Sequence, residues 1–230
     1  MAGPNLDRER EQVAAACRRL AAEQLVVGTA GNVSARAGDH VAISATGAVL
    51  ADATPEQVSV IDMDGRVVAG ELAPTSELDL HLGVYRRYDA GAVVHTHAPM
   101  ATALACVLDD ELPCVHYQML LLGGPVRVAR YATFGTPELA ENVLEALDGR
   151  TGALMANHGA ITHAADIDNA VELALLLEWA CGVYWHAAAI GSTLSEPPHA
   201  SAVSVSKRTR GRCTKQIMLR RFATRQLRGL

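Results

Sequence analysis

Long apolar runs are missing from this sequence, since none reaches the about 18 residues that a membrane-spanning helix requires. The first twenty residues, MAGPNLDREREQVAAACRRL, are too charged for the apolar core of a signal peptide. The five cysteines are odd in number, lie far apart and include no Cys-x-x-Cys pair, which disfavours a disulfide framework. We therefore expect a reduced, cytoplasmic protein without a membrane partner.

Sequence motifs for nucleotide binding are also absent. There is no Walker pattern, and no Gly-x-Gly-x-x-Gly follows a strand-like run. Internal repeats are lacking, and no linker-like segment interrupts the chain before residue 191. These absences leave one continuous domain as the expected organisation.

The chain has an ordinary globular composition with an uneven distribution of charge. Of its 230 residues, 50% are hydrophobic and 20% are charged, which suffices for one large core. Residues 1–196 carry a net charge of −14, whereas residues 197–230 carry nine basic residues and no acidic one. We predict a domain over 1–196 and a basic tail over 197–230. The tail is either flexible or lies on the acidic body of a neighbouring subunit; block charge also suits a nucleic-acid or membrane arm, but we expect no nucleic-acid partner.

Helix and strand signals alternate along the chain and predict a layered α/β domain. Five segments carry helix signals: 7–24, 77–88 with Ser76 as its cap, 98–107, the segment that begins at Thr136-Pro137-Glu138, and 168–190. Strand signals lie at 40–44, in a hairpin over 58–68 that turns at Asp64-Gly65, and at 91–97, 126–130 and 152–157. We interpret His81, in a predicted helix, and His116, in a predicted strand, as ordinary packing residues.

Two histidines stand one residue apart in VVHTHA, at the end of an apolar strand. Alternate residues of a strand share a face, so His95 and His97 point the same way, with Cα atoms about 6–7 Å apart. His-x-His alone is more often structural or on the surface, but His158 follows another strand and offers a third ligand, and Gly159 after it permits close backbone approach. Three histidines with an open position are typical of catalytic zinc.

Glu77 begins the helix that follows PTS. The helix dipole alone explains a glutamate in a first turn. A base beside the metal is the functional alternative, and the sequence leaves both open.

Three segments are rich in small residues that donate hydrogen bonds: GTAGNVSAR (28–36), SATG (44–47) and PTS (74–76). Backbone N–H groups and hydroxyls in such turns can cradle a phosphate. Each segment taken alone is equally well an ordinary turn.

In their order along the chain, these segments resemble the class II aldolase/adducin-head family, and most closely its L-fuculose-1-phosphate aldolase branch. The resemblance covers roughly residues 7–190 and is carried by GTAGNVS, SATG, PTSE, AVVHTHA, HY at 116–117, YATFGT and NHGAI. It implies an α/β fold, with a single three-layer αβα domain around a central, mostly antiparallel sheet. It also implies a homotetramer whose active sites lie between subunits.

By motif position, the resemblance implies zinc, or else Mn²⁺, Co²⁺ or Fe²⁺, held by His95, His97 and His158 with Glu77 nearby. Tyr117 of a neighbouring subunit would donate a proton to the aldehyde oxygen, and Phe134 would lie near the aldehyde. The substrate phosphate would contact Thr29, Gly31, Asn32, Thr46, Gly47, Thr75 and Ser76.

The implied reaction is cleavage of a ketose 1-phosphate similar to L-fuculose 1-phosphate into dihydroxyacetone phosphate and a short aldehyde such as L-lactaldehyde. One group must take the C4 hydroxyl proton and another must protonate the carbanion. Tyr117 suits the first role and Glu77 the second, so we expect Glu77 to leave the metal when substrate binds. The tail has no tyrosine after Tyr184, unlike the family's aldolases, which leaves aldehyde selectivity and closure of the site open.

Sibling activities remain as alternatives: 5-deoxyribulose 1-phosphate aldolase, methylthioribulose-1-phosphate dehydratase and ribulose-5-phosphate 4-epimerase. The epimerase typically has aspartate where Glu77 stands, which favours the aldolase or the dehydratase. A non-catalytic adducin-head-like interaction domain is the alternative of another class, but that head lacks the metal histidines that are present here.

Overall fold

The computed structural model of the chain describes residues 5–191. The predicted basic tail over 197–230 lies outside these residues. Five α-helices occur in the described part: α1 Asp7–Ala22, α2 Leu78–Arg87, α3 Pro99–Ala105, α4 Pro137–Ala146 and α5 Ile167–Ala189. Nine strands accompany them: β1 Asn32–Ala37, β2 His40–Ser44, β3 Val58–Asp62, β4 Val67–Ala69, β5 Ala92–Thr96, β6 Glu111–Leu112, β7 Val126–Ala129, β8 Gly152–Met155 and β9 Gly159–Ala164.

The strands form one sheet in the order β4-β3-β2-β1-β5-β9-β8-β7-β6. Every neighbouring pair is antiparallel except β7 and β8, which run parallel. The strand β5 lies at the centre of this order, and β1 and β9 flank it. No helix within residues 5–191 is long and apolar enough to cross a membrane.

Helices cover both faces of the sheet. Side chains of α1, α3 and α5 pack into one apolar cluster, and side chains of α2 and α4 pack into another. The strand β5 separates the two, because Val94 faces the first cluster and Val93 the second, as strand alternation requires. The predicted three-layer αβα domain with a mostly antiparallel sheet is thereby confirmed.

Two local predictions are wrong. Ser76 does not cap α2: the helix begins at Leu78, Glu77 occupies the cap position, and the Thr75 hydroxyl accepts a hydrogen bond from the Glu77 backbone N–H. His116 is not in a strand, because its imidazole Nδ1 accepts from the Gln118 backbone N–H and so caps a 3₁₀ helix. Local side-chain hydrogen bonds to the backbone decide both positions.

Candidate active site

Three histidines converge at one end of β5. His95 is the penultimate residue of β5, and His97 directly follows the strand. His158 lies in the turn between β8 and β9. Their ring centroids are 4.8, 4.9 and 5.0 Å apart and the rings meet edge to face. One nitrogen from each ring lies within 4.8 Å of the other two. The three histidines predicted to form a metal site are therefore brought together.

The main chain fixes this geometry. The His95 side chain is fully buried, and its Nδ1 lies 2.9 Å from the Ala160 carbonyl oxygen. A carbonyl only accepts, so Nδ1 carries the proton and the Nε2 lone pair is left to face the other two rings. Gly159 permits the close contact between β9 and β5, because a Cβ there would lie 2.3 Å from the Thr96 carbonyl oxygen. The expected close approach at Gly159 is confirmed.

Glu77 reaches the three histidines from the cap position of α2. The residue is 6% exposed, and its Oε2 lies 2.9 Å from the Asn32 amide nitrogen and 3.1 Å from His95 Nε2. Its other oxygen, Oε1, has no hydrogen-bond partner among the described residues, and His158 Nε2 lies 3.5 Å from it. A buried carboxylate oxygen without a donor is costly unless a cation or proton accompanies it.

These residues fit a divalent cation. His95 Nε2 and His97 Nε2 lie 3.0 Å apart, and the unpartnered Oε1 of Glu77 belongs to the same cluster. Imidazole nitrogens and a carboxylate oxygen are the donor set that zinc and similar metals accept. A cation at this point would be bound by nitrogen and oxygen lone pairs that otherwise repel one another.

His97 and His158 are held as neutral imidazoles, the form that binds metal. Burial lowers the pKa of His97 to about 4, and the neighbouring His95 and His158 rings act in the same direction. Burial and His95 also lower the pKa of His158. For Glu77, burial opposes ionisation, but the His95 contact and the Asn32 hydrogen bond outweigh it and hold the pKa well below its usual range. Near neutral pH His97 and His158 are therefore neutral imidazoles, and Glu77 is an ionised carboxylate.

A cavity of about 490 Å³ opens beside the cluster. It is lined by His97, His158 and Glu77 and by all the residues predicted to contact substrate: Thr29, Gly31, Asn32, Thr46, Gly47, Thr75, Ser76 and Phe134. Gly31 and Gly47 have φ values of 92° and 71°, in the left-handed region that also occurs in anion-binding turns. The three predicted small-residue segments thus meet in one place.

Tyr117 is not among the residues that line this cavity. It begins the 3₁₀ helix Tyr117–Leu122 and is 54% exposed. Its ring lies 4.5 Å from that of His116, which in turn meets Trp179 of α5 edge to face at 4.8 Å. A role for Tyr117 in this subunit's own cavity has no support from the geometry.

Four residues with polar side chains near the site were not predicted as site residues. Tyr131 and Asn157 line the cavity. His81 and Ser34 lie behind Asn32, joined to it by buried hydrogen bonds. The position of His81, four residues after Glu77 on the same helical face, is the one local signal that indicates it.

Comparison with known proteins places the chain in a family. Residues 11–185 match the family model described as Class II Aldolase and Adducin N-terminal domain. The chain is 41% identical over 189 residues to the 5-deoxy-D-ribulose 1-phosphate aldolase of Bacillus thuringiensis serovar kurstaki, which covers 81% of this chain and 88% of that protein. It is 38% identical over 175 residues to the L-fuculose phosphate aldolase of Escherichia coli strain K12, with 75% and 80% covered.

A solved structure gives the same result. The fold is similar to that of an L-fuculose 1-phosphate aldolase with a TM-score of 0.80 and 32% identity, covering 94% of this chain and 96% of that one. The chain belongs to the class II aldolase and adducin N-terminal domain family.

Proposed function

We propose that this protein is a metal-dependent aldolase that cleaves a ketose 1-phosphate into dihydroxyacetone phosphate and a short aldehyde. One observation carries the proposal: Glu77, with its unpartnered Oε1, and two of the three clustered histidines line a cavity that the hydroxyl and glycine turns also line. A carboxylate that exchanges protons and a cradle for a phosphate are what such a reaction needs from the protein.

His95, His97, His158 and Glu77 would hold the metal, with zinc as the first candidate and Mn²⁺, Co²⁺ or Fe²⁺ as others. When bound, the metal would act as a Lewis acid and stabilise the negative charge that develops next to the breaking carbon–carbon bond. The chain itself provides the orientation of the imidazoles, through the His95 contact with the Ala160 carbonyl.

The phosphate would lie among Thr29, Gly31, Asn32, Thr46, Gly47, Thr75 and Ser76. Among the described residues that line the cavity, none is lysine or arginine, so neutral N–H and hydroxyl donors would carry the binding. Glu77 is the one acidic residue among the described residues that line the cavity.

Glu77 would serve as the acid and base that exchanges a proton with the carbanion carbon. Its buried position beside His95 and His158 supports this role. Tyr117 would come from a neighbouring subunit of a homotetramer and exchange a proton with the aldehyde oxygen. The exposed aromatic group formed by His116, Tyr117 and Trp179 supports a subunit contact there, because aromatic residues are enriched at interfaces.

Two ketose phosphates are candidates for the substrate. L-fuculose 1-phosphate is the substrate that the family resemblance of the sequence motifs implies. Relatives that are named fuculose phosphate aldolases support it. A 5-deoxyribulose 1-phosphate is favoured by the relative at 41% identity. The two share carbons 1 to 3 and the phosphate, so only the aldehyde end, where we place Phe134, would distinguish them.

One assay separates these candidates from the sibling activities. The metal-loaded protein is given fuculose 1-phosphate, 5-deoxyribulose 1-phosphate, methylthioribulose 1-phosphate and ribulose 5-phosphate in parallel, and dihydroxyacetone phosphate is measured by its enzymatic reduction. We expect it from at least one of the first two. If no substrate is cleaved and methylthioribulose 1-phosphate loses water, the protein is the dehydratase instead. If no substrate is cleaved and ribulose 5-phosphate is inverted, it is the epimerase.

The matched variants are His95→Ala and His40→Ala. His40 pairs with Ala37 at the end of β1, whereas Asn32 is the first residue of that strand. Loss of the His40 side chain should therefore leave the site intact. We expect His40→Ala to retain the metal and the activity and His95→Ala to lose both. A His95→Ala protein with full metal content and full activity would overturn the assigned site, and a non-catalytic interaction domain would show no turnover in any variant.

A further inference from the structure

Behind Glu77 runs a chain of buried hydrogen bonds that the reaction as outlined does not use. Asn32 Nδ2 lies 2.9 Å from Glu77 Oε2, and Asn32 Oδ1 lies 2.5 Å from His81 Nε2. Ser34 Oγ lies 2.7 Å from His81 Nδ1 and 2.7 Å from the Tyr85 hydroxyl. Asn32, Ser34, His81 and Tyr85 are all between 0% and 5% exposed, so water does not compete for these contacts.

The ionised carboxylate decides the direction of every bond in this chain. A carboxylate only accepts, so the Asn32 NH₂ group must face Glu77 and its Oδ1 must face His81. His81 Nε2 must then carry a proton and donate it to Oδ1. A neutral imidazole has one donor and one acceptor, which makes Nδ1 the acceptor of the Ser34 hydroxyl, and Ser34 in turn accepts from Tyr85.

The environment keeps both His81 and Tyr85 neutral. Burial lowers the pKa of His81 to about 3, with the nearby His95 ring acting in the same direction. Burial raises the pKa of the Tyr85 phenol above its ordinary value. His81 is therefore a neutral imidazole with a single allowed tautomer, and Tyr85 is a hydroxyl donor.

We propose that His81 is the positioning residue for Glu77: as an imidazole protonated on Nε2, it holds the Asn32 amide so that this amide binds Oε2 and leaves Oε1 free. The two oxygens of Glu77 thereby differ, with Oε2 restrained by the Asn32 amide donor and Oε1 available for proton transfer. The catalytic part of this inference rests on the proposed function, whereas the tautomer and the restraint of Glu77 do not.

Loss of His81 would disturb the Asn32 amide. Without a donor at this point, Asn32 Oδ1 would be buried and unpaired, and rotation of the amide to satisfy it would turn that oxygen toward the carboxylate. Either result destabilises the position of Glu77, because a buried polar atom without a partner and two facing acceptors are both unfavourable. Asn32 is also committed to this chain, which limits what its amide can offer a substrate phosphate.

The tautomer can be tested directly on the metal-free, full-length protein. Long-range ¹H–¹⁵N correlation spectra distinguish a protonated from an unprotonated ring nitrogen, and comparison with His81→Gln assigns the His81 signals. We expect Nε2 to be protonated and Nδ1 unprotonated at pH 7. Protonation on Nδ1, or on both nitrogens, would overturn the proposal without any reference to activity.

The restraint of Glu77 is tested with two substitutions of His81. In His81→Gln the amide nitrogen stands close to the former Nε2 and can still donate to Asn32, whereas His81→Phe keeps a ring and offers no donor. His163→Phe is the matched control, because His163 is a buried histidine, 8% exposed, on β9 and outside this chain of bonds. Urea unfolding of each variant shows whether it is folded and by how much its stability has changed.

The measurements are the dissociation constant for Zn²⁺ by chelator competition and the visible spectrum of the Co²⁺-loaded protein. We expect His81→Phe to bind Zn²⁺ about 10- to 100-fold more weakly, the usual effect of losing a residue that orients a metal ligand, with an altered Co²⁺ spectrum. His81→Gln should restore most of the affinity. If His81→Phe binds like His163→Phe at equal stability, the role of His81 is structural only and the proposal fails.

Kinetics then separate this inference from the proposed function. If the protein is an aldolase, His81→Phe should lower kcat by about 10- to 100-fold with KM changed less, because Asn32 is the only proposed phosphate contact that has a hydrogen bond to His81 among the described residues. A protein without aldolase activity that still shows the Nε2 tautomer and the metal effect would refute the proposed function and retain the positioning role.

Discussion

Asn32 on β1 lies directly opposite His95 on β5 in the antiparallel register of the sheet. Paired residues share a face, so the amide of one and the imidazole of the other both reach the same oxygen of Glu77, at 2.9 and 3.1 Å. A register shift of one residue would send either side chain to the opposite face. The pairing of two strands is therefore part of how the site is assembled.

Replacing Glu77 by glutamine tests its role in proton transfer. Glutamine has nearly the same shape but cannot take up a proton, so kcat for cleavage should fall by about 10²- to 10⁴-fold. The three histidines should still retain the metal, which metal analysis of the purified variant would check. The control is Asp79→Asn, which removes an exposed carboxylate from the same helix. Equal kcat in Glu77→Gln and the wild-type protein would exclude Glu77 as the acid and base.

Much of this site was predictable because its signals are local. The strand pattern of VVHTHA puts His95 and His97 on one face, and a histidine and glycine directly after a strand marked His158. The three turns with glycine and hydroxyl residues carried their own composition signal. The structure adds that these segments surround a single cavity.

The strands β1 and β9, which flank β5, were not predicted, and the reason is physical. In β1, Asn32 and Ser34 alternate with apolar residues as they would on a solvent-facing strand, yet both are buried against Glu77 and His81. The sequence cannot show that a polar face meets partners some 45 positions away. The role of His81 was missed for the same reason, since burial of a histidine in a helix looks like packing.

Two glycine substitutions should have opposite effects on stability. In Gly159→Ala the new Cβ would lie 2.3 Å from the Thr96 carbonyl oxygen, a main-chain atom that can move only if β5 and β9 separate. We expect the free energy of unfolding to fall by about 1–3 kcal/mol, with weaker metal binding because His95 and His158 flank the contact.

The companion substitution is Gly182→Ala in the middle of α5. The new Cβ there would meet nothing closer than Met100 Cγ at 3.9 Å, and alanine is the better helix former. This variant should gain about 0.5–1 kcal/mol in urea unfolding. A stable Gly159→Ala protein with unchanged metal affinity would show that the contact between the strands is not needed.

Acid should destabilise the metal-free protein partly through His81. The pKa of this residue is lowered to about 3 by burial, whereas an unfolded histidine titrates near 6.5. Between these values the unfolded chain binds a proton that the folded chain does not, so its contribution is complete above about pH 6.5 and is lost as the pH falls. From pH 7 to pH 5 the loss should be on the order of 2 kcal/mol.

Urea unfolding at pH 7, 6 and 5 measures this effect. His81→Gln removes the titrating group, so its stability should depend less on pH over that range than the stability of the wild-type protein. His97, whose pKa is also lowered, to about 4, acts in the same direction in both proteins. Identical pH dependence in the two proteins would mean that His81 is not a buried neutral histidine.

Glu178 of α5 should stabilise the segment that follows His97. Its two carboxylate oxygens accept hydrogen bonds from the backbone N–H groups of Met100 and Ala101, at 2.9 and 2.8 Å. These are first-turn donors of α3, which begins at Pro99 without a side-chain cap of its own. A carboxylate there both satisfies the donors and complements the helix dipole, so Glu178→Ala should cost about 1–2 kcal/mol.

Glu172→Ala is the matched control, because this residue lies on the same helix and forms an exposed ion pair with Arg19. Such pairs contribute little, so the change should stay within about 0.5 kcal/mol. Since α3 begins two residues after His97, Glu178→Ala should also weaken Zn²⁺ binding, whereas Glu172→Ala should not. Equal effects of the two substitutions on both measurements would show that the Glu178 cap does not support the segment that follows His97.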